Sequence, residues 1–180
     1  MSGLEDLYRE IILDHYRSPR NRGELETPPA HKAEGFNPLC GDEIVVFVEV
    51  DGKGEDARIT DVKIGGQGCS ISQASASMMS AAVKGRTVAE AHQLTRAFKA
   101  MMSIHENGLD THGSGAANGD GSGDGGGEGG EIDEEALAAT DLGDLEALRG
   151  VVKFPVRIKC ATLSWNTLGQ GLADAADAAG

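Results

Sequence analysis

The chain has 180 residues, with 29 Asp and Glu against 16 Lys and Arg, for a formal net charge of -13. That charge repels phosphate backbones and anionic lipid surfaces, so neither nucleic acid nor a membrane is an expected partner. The length fits one domain over residues 1–180, and at about 1 M salt a Debye length of about 3 Å screens the self-repulsion, so the composition also fits concentrated salt.

The N-terminus reads Met-Ser-Gly-Leu-Glu-Asp, without the basic start and apolar stretch of a signal peptide. No later apolar run approaches the ~20 residues that span a bilayer, and the expected location is the cytoplasm. Ser2 and Glu5 have capping-box spacing, and Leu4, Leu7, Tyr8, Ile11 and His15 then recur at helical intervals. They predict a helix over 3–17, which Pro19 stops. Arg17, Arg20 and Arg22 gather at its end, where cations oppose the helix dipole or form a docking patch.

Glu43 to Val50 is β-branched and aromatic, and 58–64 alternates after a Gly-rich turn, so the two segments predict a β-hairpin. Cys40, Gly41 and Asp42 lead into its first strand, and Gly65-Gly66-Gln67-Gly68-Cys69 leaves its second. Ile71, Ala74, Met78 and Ala81 mark a helix ending near Gly85, a residue suited to the left-handed C-cap. Thr87 and Glu90 open the next helix, whose stripe Val88, Ala91, Leu94, Phe98 and Met101 is read as core rather than as a set of methionine ligands.

From 107 to 131 the chain is mostly Gly, Asp, Ser and Asn, without apolar anchors to offset the entropy of ordering; a disordered insertion within the domain is expected there. His105 and His112 flank or lie in it and are read as exposed loop residues. An acidic-to-apolar segment at 141–148 and Val151 to Pro155 then lead to a last helix. Its core stripe is Ile158, Ala161, Trp165, Leu168, Leu172 and Ala175, with Cys160, Leu163 and Thr167 on a neighbouring stripe that need not face the core.

The three cysteines carry the chemistry. An odd number in a reducing compartment points to ligands, nucleophiles or core residues rather than to disulfides. Cys69 precedes one helix and Cys160 is placed in the first turn of another, where the positive end of the dipole stabilises a thiolate. Asp42, two residues from Cys40, disfavours a free thiolate there, and a divalent metal removes that conflict. Cys40, Asp42, Cys69 and Cys160 together make a four-coordinate set suited to Zn2+, with Arg157 and Lys159 as charges to offset it. The spacing contains no short C-x-x-C pair, so three unrelated buried cysteines stay open as an alternative. A dinucleotide loop at 65–68 lacks its third glycine, and neither a P-loop nor a G-x-S-x-G turn occurs.

Leu7-Tyr8, His15-Tyr16-Arg17-Ser18-Pro19-Arg20-Asn21, Cys40-Gly41-Asp42, Gly68-Cys69-Ser70-Ile71-Ser72 and Arg157-Ile158-Lys159-Cys160-Ala161-Thr162-Leu163 resemble the SufU type of the IscU-like (NifU N-terminal domain) superfamily. The resemblance implies an α+β fold, a small antiparallel β-sheet packed against helices with a metal site at one end. It implies zinc held by Cys40, Asp42, Cys69 and Cys160, with Cys40 accepting persulfide sulfur from a pyridoxal-phosphate cysteine desulfurase of the SufS type. That sulfur passes on towards downstream Suf assembly proteins. Lys159 stands where scaffold-type members have His, which favours sulfur transfer over the other implied role, a scaffold for a [2Fe-2S] cluster. The acidic Gly-rich insertion departs from ordinary SufU sequences.

Overall fold

The structure, a computed structural model, describes residues 3–103 and 140–179. The expected insertion, His105, His112 and the capping residue Ser2 lie outside the described residues. In chain order the elements are α1 (Gly3–Arg17), β1 (His31–Asn37), β2 (Asp42–Asp51), a 3-10 turn (Gly54–Asp56), β3 (Arg58–Gln67), α2 (Ser70–Val83) and α3 (Val88–Ser103). A 3-10 stretch (Gly143–Lys153) and α4 (Pro155–Ala179) complete it. No helix among the described residues is long and apolar enough to cross a membrane.

The strands form one antiparallel sheet in the order β1-β2-β3, with Ala33 opposite Val46 and Val46 opposite Ile64. The expected α+β class is the one observed, and β2 and β3 are the expected hairpin. β1 is an addition. His-Lys-Ala-Glu-Gly-Phe-Asn has no β-branched residue, and as an edge strand it leaves Lys32, Glu34 and Phe36 exposed while burying Ala33 and Asn37. Charged, outward-facing edge positions guard against strand addition and also hide the strand from a reading based on hydrophobic alternation.

Ile44, Val46 and Val48 of β2 and Ile59, Val62 and Ile64 of β3 supply the sheet's side of the core. α2 runs behind them and packs against α1, β3 and α4. Its Ser- and Ala-rich sequence is buried on every side from Ser72 to Ser80, as a helix enclosed by neighbours requires. The expected stripe on α2 drifts at its end, where Ala81 is exposed and Val83 is buried instead. Lys84 is the C-cap of α2, and Gly85 follows it in the left-handed conformation with φ +84°.

Thr87 and Glu90 form the expected reciprocal box: Thr87 N–H donates to Glu90 Oε2 at 3.1 Å and Glu90 N–H to Thr87 Oγ1 at 3.2 Å. The α3 stripe is buried throughout, methionine included. Its Phe98 stacks on Trp165 of α4 with centroids 4.9 Å apart. On α1 the expected stripe is covered only from Tyr8 onwards, and Leu4 and Leu7 remain exposed.

Candidate metal centre

Four elements bring their ends together at one edge of the sheet. Cys40 lies on the turn from β1 to β2, where Gly41 N–H donates to Asn37 O at 2.8 Å and Leu39 N–H to Asn37 Oδ1 at 3.2 Å. Asp42 is the first residue of β2, Cys69 is the N-cap of α2, and Cys160 lies on α4. The ligand atoms of Cys40, Asp42 and Cys160 fall within 4.8 Å of one another. Cys69, the fourth expected ligand, falls outside that group but borders it, its Sγ 4.0 Å from Asp42 Oδ2 and its N–H donating to Asp42 Oδ1 at 2.9 Å. Gly68 makes this approach feasible, since a Cβ there would collide with Asp42 Oδ1 and Ser72 Oγ.

Asp42 is fully buried. Burial alone raises a carboxyl pKa, but hydrogen bonds from the Cys160 thiol, the Cys69 backbone and thiol, and Ser72 outweigh it and hold Asp42 below its ordinary value. Cys69 fulfils its expected place at a helix N-terminus, with Sγ accepting the Ser72 N–H at 3.5 Å.

Cys160 departs from expectation. α4 starts at Pro155, a residue favoured in the first helical position, so Cys160 is its sixth residue and stands in the second turn. It therefore gains little from the helix end. It is also fully buried, although it borders Asp42 and Asn37 and lies outside the contiguous apolar cluster. Burial, then hydrogen bonds with Asp42 and Cys40, then the negative Cys69 and Asp42 push its pKa far above the usual thiol range.

Two partners were not singled out from the sequence. Asn37 Nδ2–H donates to Cys160 Sγ at 3.7 Å, and Ser72 serves both Cys69 and Asp42. A Ser three residues after an N-capping Cys is the legible signal for Ser72; Asn37 offers none, because its strand has no β-branched residue. Of the two expected cations, Arg157 is recorded at the sulfurs: the negative Cys69, then hydrogen bonds to Cys160 and Cys69, raise its pKa further. Lys159 is exposed on α4, and no recorded contact joins it to the cysteines.

The donor set fits a metal. A fully buried carboxylate surrounded by three thiols, with one guanidinium at their edge, gathers more negative character than its protein neighbours balance, and a divalent cation supplies the balance. Soft sulfur with one harder oxygen in four-coordinate number matches zinc.

A second polar cluster resembles a catalytic relay, but its serine and histidine are buried. His15 Nδ1 lies 2.8 Å from Ser77 Oγ and Nε2 2.9 Å from Asp144 Oδ2. Ser77 is fully buried and its Oγ accepts the Arg20 N–H at 2.8 Å, so the cluster ties α1 and α2 to the 3-10 stretch. Arg20 pairs with Asp14 at 2.6 Å and Arg22 donates to Gly66 O at 2.8 Å, so both serve local structure.

Comparison with known proteins places the chain in a family. Residues 7–118 match the family described as NifU-like N terminal domain. The zinc-dependent sulfurtransferase SufU of Bacillus subtilis is 40% identical over 172 residues, covering 96% of this chain and 93% of that protein. The iron-sulfur cluster assembly scaffold protein IscU of Streptococcus pyogenes is 35% identical over 178 residues, 99% and 90% of the two chains. Among solved structures, a putative iron-sulfur cluster assembly scaffold protein for the SUF system from Fervidobacterium islandicum superposes with TM-score 0.63 at 30% identity, covering 93% of this chain and 97% of that one.

Proposed function

The chain belongs to the family of NifU-like N-terminal domains, and from that premise we propose that it is a zinc-dependent sulfur carrier for iron-sulfur cluster assembly. Its metal ligands are Cys40, Asp42, Cys69 and Cys160, and Cys40 is the sulfur acceptor. The observation that carries this reading is the gathering of three thiols around the fully buried Asp42 carboxylate, with Cys40 and Cys69 half-buried and Cys160 buried. When bound, zinc keeps the thiols deprotonated at neutral pH and permits one of them to exchange.

The protein's own groups sort the three cysteines. Cys160 is fully buried and held by Asn37. Cys69 is held by the Ser72 amide and attracted by the Arg157 guanidinium. Cys40 is half-buried on a turn and lines an open groove. It is thus the thiol with the loosest ties and an open approach.

The donor is a pyridoxal-phosphate cysteine desulfurase carrying a persulfide. The Cys40 thiolate attacks the outer sulfur, an S–S bond forms on Cys40, the donor's S–S bond breaks, and the donor cysteine leaves as thiolate, with no net redox change. The test is metal content of the native protein together with intact mass after desulfurase and cysteine. One zinc and one added sulfur, both with the parent chain and the sulfur lost in Cys40→Ser, is the expected result; no added sulfur on the parent overturns the proposal.

The relationship to a protein named as an IscU scaffold supports a second reading, in which the same thiolates hold a [2Fe-2S] cluster. Visible absorbance after reconstitution with iron and sulfide, followed by transfer to an apo acceptor, is its test.

A further inference from the structure

The groove that reaches Cys40 and Cys69 extends well past them. It has a volume of about 1050 Å3 and runs between α1, the 3-10 stretch and the start of α4. Tyr8, Ile12, Ile71, Val151, Phe154 and Val156 give it an apolar floor and rim, and Phe154 and Val156 are 62% and 58% exposed. Exposed Leu4 and Leu7 continue the apolar surface along α1. This is large and open for a small-molecule pocket, which typically holds ~300–1,000 Å3 and encloses its ligand.

Its charge runs against the rest of the chain. Arg9, Lys153 and Arg157 line it against one carboxylate, Glu5, in a protein of net charge -13. Lys153 pairs with Glu5 at 3.3 Å, and Arg157 faces the sulfurs, which leaves Arg9 without a recorded ion pair among the described residues. An acidic partner is repelled by the molecule as a whole and attracted here, so the charge pattern sets where and how it docks.

We propose that this groove docks an apolar segment bearing carboxylates, contributed by the sulfur-donating protein, with its apolar side chains against Tyr8, Phe154 and Val156 and a carboxylate at Arg9. The identity of the partner rests on the proposed function; the chemistry of the segment rests on the groove. A segment seated there ends beside Cys40 and Cys69, the two cysteines that line the groove. A bound partner of this kind covers the thiols from bulk water while sulfur moves.

The experiment is direct titration of the zinc-loaded full chain with the pyridoxal-phosphate cysteine desulfurase from the same cells, comparing parent, Arg9→Glu, Phe154→Ser and Lys84→Glu. Lys84 follows the far end of α2 and serves as the charge control. Zinc content and thermal stability certify that each variant is folded. Arg9→Glu and Phe154→Ser are expected to weaken binding at least tenfold with Lys84→Glu within twofold. In 1 M salt the Arg9→Glu effect is expected to shrink while the Phe154→Ser effect persists.

Binding within twofold of parent for both groove variants overturns the docking proposal. A parent that binds no desulfurase also overturns it, as does self-association of the parent that the groove variants abolish, which assigns the groove to a second copy of this chain. Persulfide mass, read in the same samples, separates the two claims. Binding that depends on Arg9 and Phe154 without any sulfur gained by the parent keeps the groove and refutes the carrier function; sulfur gained equally by all variants keeps the carrier and refutes the groove.

Discussion

The sheet-and-helix core and the cysteine end of this molecule obey opposite rules. In the core, Ile44, Val46, Ile59, Phe98 and Trp165 are buried, and buried hydroxyls such as those of Ser75 and Ser80 are uncharged and donate to backbone carbonyls. At the cysteine end Asp42, Asn37 and Ser72 are buried, while Phe36, Leu39, Phe154 and Val156 are exposed. Apolar burial stabilises a fold, whereas a buried carboxylate costs stability unless it is compensated. The inversion therefore separates what holds the chain together from what the chain holds.

The sharpest way to break this division is in the core. Trp165→Ala removes a fully buried ring stacked on Phe98 and should cost about 3–5 kcal/mol of unfolding free energy. Zinc per folded molecule should stay at the parent value, and urea titration with metal analysis checks both. If zinc binding falls in proportion among folded molecules, the two regions are not separable.

At the other end, Asn37→Ala removes the donor to Cys160 Sγ. Zinc affinity should drop ~10–100-fold, the usual consequence of losing a group that orients a ligand, while the unfolding midpoint of the metal-free protein moves little. Competition with a chelator measures the first and thermal melting the second. An intermediate effect belongs to the α3 cap: Thr87→Ala deletes the bond to Glu90 N–H and should lower stability by ~1 kcal/mol, with metal affinity unchanged.

The smallest effect at neutral pH is the titration of Cys160 in the metal-free protein. Its folded pKa is raised above the ordinary thiol value of 9.0, by burial and by its carboxylate and thiol neighbours. Folding then retains a proton that the unfolded chain releases, so the stabilisation is complete below pH 9.0 and is lost as pH rises from there towards the folded value. Stability of the metal-free chain should fall above pH 9.0 more steeply than that of a Cys160→Ala variant, as equilibrium unfolding across pH 8–11 would read. Parallel curves would refute the raised thiol.

How much of this was legible beforehand follows from the range of the forces involved. α1, α3 and α4 announced themselves by side chains that repeat within a few positions, and the Thr87–Glu90 box and Gly85 cap lie within one turn. β1 did not, because its buried residues are Ala33 and Asn37 and its exposed ones are charged. Asn37 is hidden along with it, although it acts on a cysteine 123 positions away. Cys160 lies one turn deeper in α4 than expected because Pro155, a residue type that also ends helices, here begins one.

The sequence by itself determined the ingredients of this protein. Three cysteines and a nearby aspartate specify the donor types, the motif blocks specify the family resemblance, and local periodicity specifies most of the helices. Only the tertiary structure decided that Cys160 is shut inside while Cys40 and Cys69 stay half-buried, that Arg157 rather than Lys159 acts on the sulfurs, and that an apolar, locally cationic groove leads to them. The physical reason is that periodicity and capping are set by neighbours a turn apart, whereas the burial of a thiol, the balance of charge on Asp42 and the shape of a groove depend on four distant segments meeting at one place.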